Sequence, residues 1–156
     1  MNILVLCTGN SARSILLESI LNTSGRVTAY SAGSQPAGKV HPQSLTLLAA
    51  KGIDTSAARS KSWDEFEGPD APVMDAVITV CGSAAEETCP MWPGAPVRAH
   101  WGVEDPAAAA QPDWEDAFQT AYDILSRRAA AFLSEPVETF DTAALTAALT
   151  RAGDVQ

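Results

Sequence analysis

The sequence predicts an α/β domain built on a parallel sheet, and three observations carry that prediction. Ile3–Leu6 and Ala76–Val80 are short runs of consecutive apolar side chains, the pattern of strands buried on both faces. Segments with helical spacing separate the strand candidates, and strands alternating with helices lie parallel to one another. The chain has 156 residues, 46% of them hydrophobic, which suffices for one full core, and no repeat or change of composition divides it.

Ile3-Leu4-Val5-Leu6 is the first strand, and the turn residues Cys7-Thr8-Gly9-Asn10-Ser11 break it. Leu17, Ile20 and Leu21 stand at i, i+3 and i+4 of a helix that ends near Gly25. Val27–Tyr30 is a second strand, and the Gly/Pro-punctuated stretch Ser31–His41 reads as loop. Pro42 opens a helix with Leu45, Leu48 and Ala49 on one face, stopped by Gly52. Ala57–Asp70 is loop with a short helix around Trp63 and Phe66. Ala76–Val80 is the clearest second buried strand, followed by irregular Gly82–Pro96 and a short strand at Val97–His100. Beyond the connector Ala107–Pro112, Asp113 caps a long helix whose stripe is Trp114, Phe118, Ala121, Tyr122, Leu125, Ala129 and Leu133. Pro136 ends it, and Phe140–Arg151 reads as one more amphipathic helix.

Charge narrows the partners. Ten basic against 19 acidic residues give a net charge of −9, the wrong sign for a nucleic-acid or anionic-membrane surface. A small anion is still admissible, because local dipoles outweigh net charge at short range. No apolar run approaches the ~20 residues of a membrane span, and Asn2–Leu6 lacks the basic region of a signal peptide. A cytoplasmic protein is expected. Three cysteines, Cys7, Cys81 and Cys89, are an odd count that argues against a structural disulfide framework.

In parallel sheets the site lies at the carboxyl ends of the strands. Cys7 and Cys81 each directly follow a strand, so one edge can hold both thiols. The segment Cys7-Thr8-Gly9-Asn10-Ser11-Ala12-Arg13-Ser14 joins a buried strand to a helix. A loop so placed turns successive backbone N–H groups inward as an anion nest at a helix N-terminus. Arg13 adds a bidentate fork for a tetrahedral oxyanion. The same field favours a thiolate at Cys7, and Ser14 can donate to its sulfur.

This loop resembles the phosphate-binding loop of the low-molecular-weight protein tyrosine phosphatases, and more closely that of the arsenate reductases built on their fold. The resemblance spans roughly Asn2 to Leu133. It implies a three-layer sandwich with a four-stranded parallel sheet, in a domain of residues 1–136 followed by an extension, 137–156, expected to be helical. It implies that Cys7 is the nucleophile and that Arg13 and the loop Thr8, Gly9, Asn10, Ser11, Ala12 and Ser14 bind the oxyanion. Where the phosphatases often carry a second Cys before the Arg, this chain has Ala12.

The arsenate reductases relay oxidising equivalents through a cysteine pair. Cys81 and Cys89 stand for that pair here, at a spacing of eight, one longer than in their thioredoxin-coupled members. The plain alternative is two buried small hydrophobes, but Cys89 sits in a polar, Pro-flanked loop and Cys81 at the strand end facing Cys7. Their spacing, with only His41 and His100 in the chain, does not suit zinc, and no metal is expected. Asn10 and Glu18 match only part of a potassium site found in some of these reductases.

Asp105-Pro106 matches the segment that carries the general acid of the phosphatases, and the preceding Trp101-Gly102 is typical of the reductases. Ala107 and Ala108 stand where phosphotyrosine phosphatases place aromatic walls, which favours a small inorganic substrate. Glu104 is a like charge beside Asp105. His41 is expected at the surface or as a cap, His100 packed, and Trp63, Trp92, Trp101 and Trp114 in packing roles.

The function expected is reduction of arsenate to arsenite, with phosphate or sulfate as mimics. An external thiol donor, thioredoxin or glutaredoxin with glutathione, replaces any tightly bound redox cofactor. Asp105 assists proton transfer to the departing oxygen or activates the next thiol. The alternatives are a phosphatase acting on phosphotyrosine or a small phosphoester, and a non-catalytic oxyanion-binding domain.

Overall fold

The structure, a computed structural model, describes residues 1–82, 92 and 94–156. Four strands, β1 (Asn2–Cys7), β2 (Thr28–Gly33), β3 (Ala76–Thr79) and β4 (Val97–His100), form one sheet in the order β2-β1-β3-β4. All three pairings are parallel, with Leu6 opposite Ala32 on one side and Thr79 on the other. The four α-helices among the described residues are α1 (Arg13–Thr23), α2 (Pro42–Ala50), α3 (Trp114–Leu133) and α4 (Thr142–Gly153).

The apolar run of β1 serves two cores, as its lack of alternation requires. Ile3 and Val5 meet Leu17 of α1, Phe118 and Leu125 of α3, and Leu149 of α4 in the helix-covered core. Leu4 and Leu6 point to the other face, against Phe66, Met74, Val77 and Trp92. The three layers are thus the helices, the sheet, and a thinner cover that includes the 3-10 turn Trp63–Phe66 and Trp92. At about 25 cal/mol per Å² of apolar surface, each fully buried Leu or Ile stabilises by roughly 1.5–3 kcal/mol.

Several expectations change at element edges. Strand β2 continues through Ser31, Ala32 and Gly33, read from sequence as loop; Ser31 pairs in register with Val5 and donates its hydroxyl to Glu18 Oε2 at 2.6 Å. A polar residue with a buried partner is invisible to an apolar-run criterion. Helix α2 buries Ser44, Leu47 and Leu48 rather than Leu45 and Ala49, because Ser44 Oγ donates to the Ser11 carbonyl at 2.9 Å and turns that face toward the 7–14 loop. In α3 the buried stripe contains Arg128 and Phe132, with Leu133 only partly buried. Asp113 precedes α3 without a side-chain capping bond. His100 is exposed rather than packed, its Nδ1 hydrogen-bonded to Thr79 Oγ1 at 2.7 Å.

Among the described residues, no helix is long and apolar enough to cross a membrane.

Candidate active site

The chain leaves β1 to one side for β2 and returns to the other side for β3. The reversal of strand order therefore falls between β1 and β3, where open α/β sheets form a crevice at the strand carboxyl ends. Cys7 ends β1 there and Cys81 lies two residues past β3.

The 7–14 loop is shaped by where its carbonyls go. Thr8 O accepts from Gln35 N (3.0 Å), Gly9 O from Ala37 N (2.9 Å), and Ser11 O from His41 N (3.0 Å). With these oxygens held by outer loops, the N–H groups are left to the inner side, and the Asn10 amide reaches the Cys7 sulfur. Asn10 has φ of 47°, a left-handed conformation that Asn tolerates. Its buried side chain holds the turn from within: Oδ1 accepts from Lys61 N at 2.9 Å, and Nδ2 donates to Ser14 Oγ at 2.8 Å. Among the described residues, the Ser14 hydrogen bond is this one and not the expected bond to Cys7. Helix α1 begins at Arg13 with no side-chain cap, so its first amides remain available to an anion.

Gly33 is why β2 can lie against this loop. A Cβ there would stand 2.3 Å from the Thr8 carbonyl oxygen, a backbone atom that has nowhere to move.

Cys7 and Cys81 are both buried, with their thiols near enough to perturb each other's titration, and Thr8 Oγ1 lies 3.6 Å from Cys81 Sγ. The Cys81 thiol and burial push the Cys7 thiol well above its ordinary value, while Arg13 and the Asn10 amide pull it down. The activating field expected from sequence is present, yet the neighbouring sulfur outweighs it. The physical reason is that adjacent thiols form a coupled pair, and the second negative charge is strongly opposed.

Arg13 donates through Nη1 to the Val103 carbonyl at 3.0 Å, and its Nη2 lies 3.5 Å from Asp105 Oδ2. Its Nε is buried and has no hydrogen-bond partner among the described residues, which leaves a donor for a ligand. Asp105 Oδ1 accepts from Ala107 N at 3.0 Å and so caps the 3-10 turn Pro106–Ala108. One carboxylate oxygen is thus fixed to backbone and the other faces Arg13.

The structure brings together Cys7, the loop, Arg13, Cys81 and Asp105. Cys89 lies outside the described residues. Sequence reasoning missed the role of Lys61, whose buried ammonium donates to Ser31 Oγ (3.3 Å) and Arg59 O (3.1 Å) and offsets the half-buried Glu18 carboxylate. Burial pushes Glu18 up and Lys61 down, and each partner opposes the other's shift. His41 does act as a cap, its Nδ1 accepting from Gln43 N at 3.0 Å, but its ring also packs 4.5 Å from that of Trp114 and 4.8 Å from that of Phe118. Among the described residues, no cluster of three or more His, Cys, Asp or Glu side chains is arranged to hold a metal. A cavity of about 340 Å³ at the opposite edge of the sheet is lined by Asp75, Glu138 and Asp141, the wrong charge for an oxyanion.

Comparison with known proteins agrees with this geometry. The model of the low molecular weight phosphotyrosine protein phosphatase family matches residues 2–143. An arsenate reductase from Bacillus licheniformis is 38% identical over 128 residues, covering 79% of this chain and 88% of that protein. The crystal structure of an arsenate reductase from Archaeoglobus fulgidus superimposes with a TM-score of 0.62 at 25% identity, covering 82% of this chain and 98% of that one. A low molecular weight phosphotyrosine phosphatase from Vibrio cholerae shares the fold at 19% identity, with a TM-score of 0.70 over 86% of this chain and 95% of that one. The chain therefore belongs to the low molecular weight phosphotyrosine protein phosphatase family, and within it to the arsenate reductases built on that fold.

Proposed function

We propose that this chain reduces arsenate to arsenite in the 7–14 loop, with Cys7 as nucleophile and Cys81 as the second thiol. The observation that carries the reading is a second buried thiol beside the anion-binding loop: Cys81 Sγ lies 3.6 Å from Thr8 Oγ1, next to the buried nucleophile Cys7. A phosphatase needs the loop, Arg13 and an acid, but not a second sulfur against its nucleophile. Arsenate is a tetrahedral oxyanion suited to the loop amides and the free Nε–H of Arg13. As Cys7 sulfur bonds to arsenic, one arsenate oxygen departs as water, and Asp105 supplies a proton. Cys81 sulfur, as thiolate, then attacks Cys7 sulfur. The S–S bond forms, the S–As bond breaks, and the electron pair passes to arsenic, which leaves as arsenite.

Cys89 is the third thiol of this reading. Its attack on Cys81 releases Cys7 and leaves a Cys81–Cys89 disulfide, which thioredoxin, or glutaredoxin with glutathione, reduces. No tightly bound cofactor is needed, because the electrons come from thiols. A reducing compartment, the cytoplasm, suits such chemistry.

Arsenate reduction measured separately with thioredoxin, with glutaredoxin plus glutathione, and with no donor tests the reading. Multiple turnovers are expected with one dithiol system. Cys89→Ser is expected to release arsenite once with thioredoxin and stop with a Cys7–Cys81 bond, visible by non-reducing peptide mapping. Hydrolysis of a phosphoester in the absence of arsenate-dependent thiol consumption would assign the chain to phosphatase chemistry instead.

A further inference from the structure

The family match ends at residue 143, yet the chain beyond it is bound to the site through one buried cation. Arg128 on α3 is only 5% exposed. Its Nε donates to the Val155 carbonyl at 2.8 Å, and its Nη1 to the Gly102 carbonyl at 3.0 Å. None of the four salt bridges among the described residues involves it. Burial pushes its guanidinium below the ordinary value, with Asp154 opposing the shift. A desolvated cation spent on two carbonyls is a poor way to fill a core. Its geometry is informative, because a planar fork fixes the orientation of the groups it holds.

What it holds is the peptide joining Gly102 to Val103. The carbonyl of that peptide accepts from Arg128, and its N–H donates to Val80 O at 3.1 Å, so both ends are fixed. Trp101, one residue earlier, donates its backbone N–H to Thr79 O at 2.7 Å and its indole Nε1 to Leu149 O of α4 at 2.9 Å. Helix α4 packs closely there: a Cβ on Gly153 would stand 2.8 Å from the Trp101 ring. The next carbonyl, that of Val103, accepts from Arg13, and Asp105 faces the same guanidinium.

We propose that Arg128, held in place through the Val155 carbonyl, is a positioning residue for the oxyanion site: it orients the Gly102–Val103 peptide and thereby aims Arg13. Among the described residues Arg128 makes no hydrogen bond or ion pair to the 7–14 loop or the thiols, and acts through Val103 and Asp105. The inference rests on the reading of residues 7–14 as an oxyanion site, and not on which reaction follows binding.

The test uses the full chain and inorganic phosphate as probe. Alkylation of Cys7 by iodoacetamide is followed by peptide mass mapping over a range of phosphate concentrations and pH. In Arg128→Met, the phosphate concentration that half-protects Cys7 is expected to rise about tenfold. The rate without phosphate is expected to change by much less than the half-protecting concentration, since Arg13 is one of several groups acting on the Cys7 thiol, a pattern that general loosening of the fold would not give. Arg128→Lys, which keeps one donor, and removal of residues 155–156, which takes away the Val155 carbonyl, are expected to fall between. Those milder variants also answer the question if Arg128→Met does not fold. Unchanged protection in all three variants overturns the proposal, as does weaker protection matched by an equal change in the unprotected rate. Absence of phosphate protection in the parent protein would instead sink the reading of the loop, and the proposal with it.

Discussion

The unusual residue in the site is Cys81, because its sulfur opposes what the loop does for Cys7. Two neighbouring thiols resist carrying two negative charges. Cys81→Ala should therefore lower the midpoint of Cys7 alkylation against pH, so that Cys7 reacts faster near neutrality even as arsenate turnover is lost. An unchanged or raised midpoint would mean that Arg13 and the Asn10 amide already govern the nucleophile. Asp105 permits an equally narrow substitution. Asp105→Asn keeps an oxygen able to accept from Ala107 N, so the turn it caps and the thermal midpoint should be preserved. Turnover should fall by about 10²–10⁴-fold if the carboxyl transfers a proton. These residues were legible because the chemistry demands particular types: a thiol, a guanidinium and a carboxyl, each at a strand end or a turn. Lys61 and Arg128 were not, since a Lys in a polar stretch and an Arg in a helix have no local mark that distinguishes a buried cation from a solvated one.

Elements place these side chains, and two joints between elements bear the strain. Where β2 meets the loop, Gly33→Ala forces a methyl group against the Thr8 carbonyl oxygen. We expect a loss of about 1–3 kcal/mol by denaturant titration, together with weaker oxyanion protection of Cys7. Stability lost with no change in protection would show that the strain dissipates into β2. At the start of α2, burial pushes His41 below its ordinary value of 6.5 while Asp105 pulls the other way. The unfolded chain thus takes up this proton at a higher pH than the folded one. The contribution is complete above about pH 6.5 and falls away as pH drops below it. A pH titration of stability should show this acid-side loss, and His41→Asn, which can still cap α2, should remove it. The strands and helices themselves were legible from apolar runs and helical spacing. Their faces were less so: α2 is turned by the Ser44 hydroxyl and β2 is lengthened by Ser31, and a polar contact of that kind becomes visible only when its partner is in place.

Over the whole molecule, a net charge of −9 surrounds a site built for an anion. The two act at different ranges. Repulsion by the distributed surface charge is screened within about 10 Å at 0.1 M salt, whereas the partly buried guanidinium and amides are screened far less. Raising sodium chloride from low to moderate concentration should therefore lower the KM for arsenate, with kcat little changed. A KM that climbs steeply with salt would show that exposed cations, and not the loop, capture the substrate.

The position of the two sulfurs on the sheet bears on its mechanics. β1 and β3 are the inner strands, hydrogen-bonded to each other and each flanked by a further strand. A covalent link between Cys7, at the end of β1, and Cys81, two residues past β3, would tie the ends of two strands already paired from Ile3–Ala76 to Leu6–Thr79. Backbone amides of Leu4–Leu6 should exchange with deuterium only through global unfolding, and at similar rates in the reduced and linked forms. A redox step carried out there asks little motion of the frame that holds it.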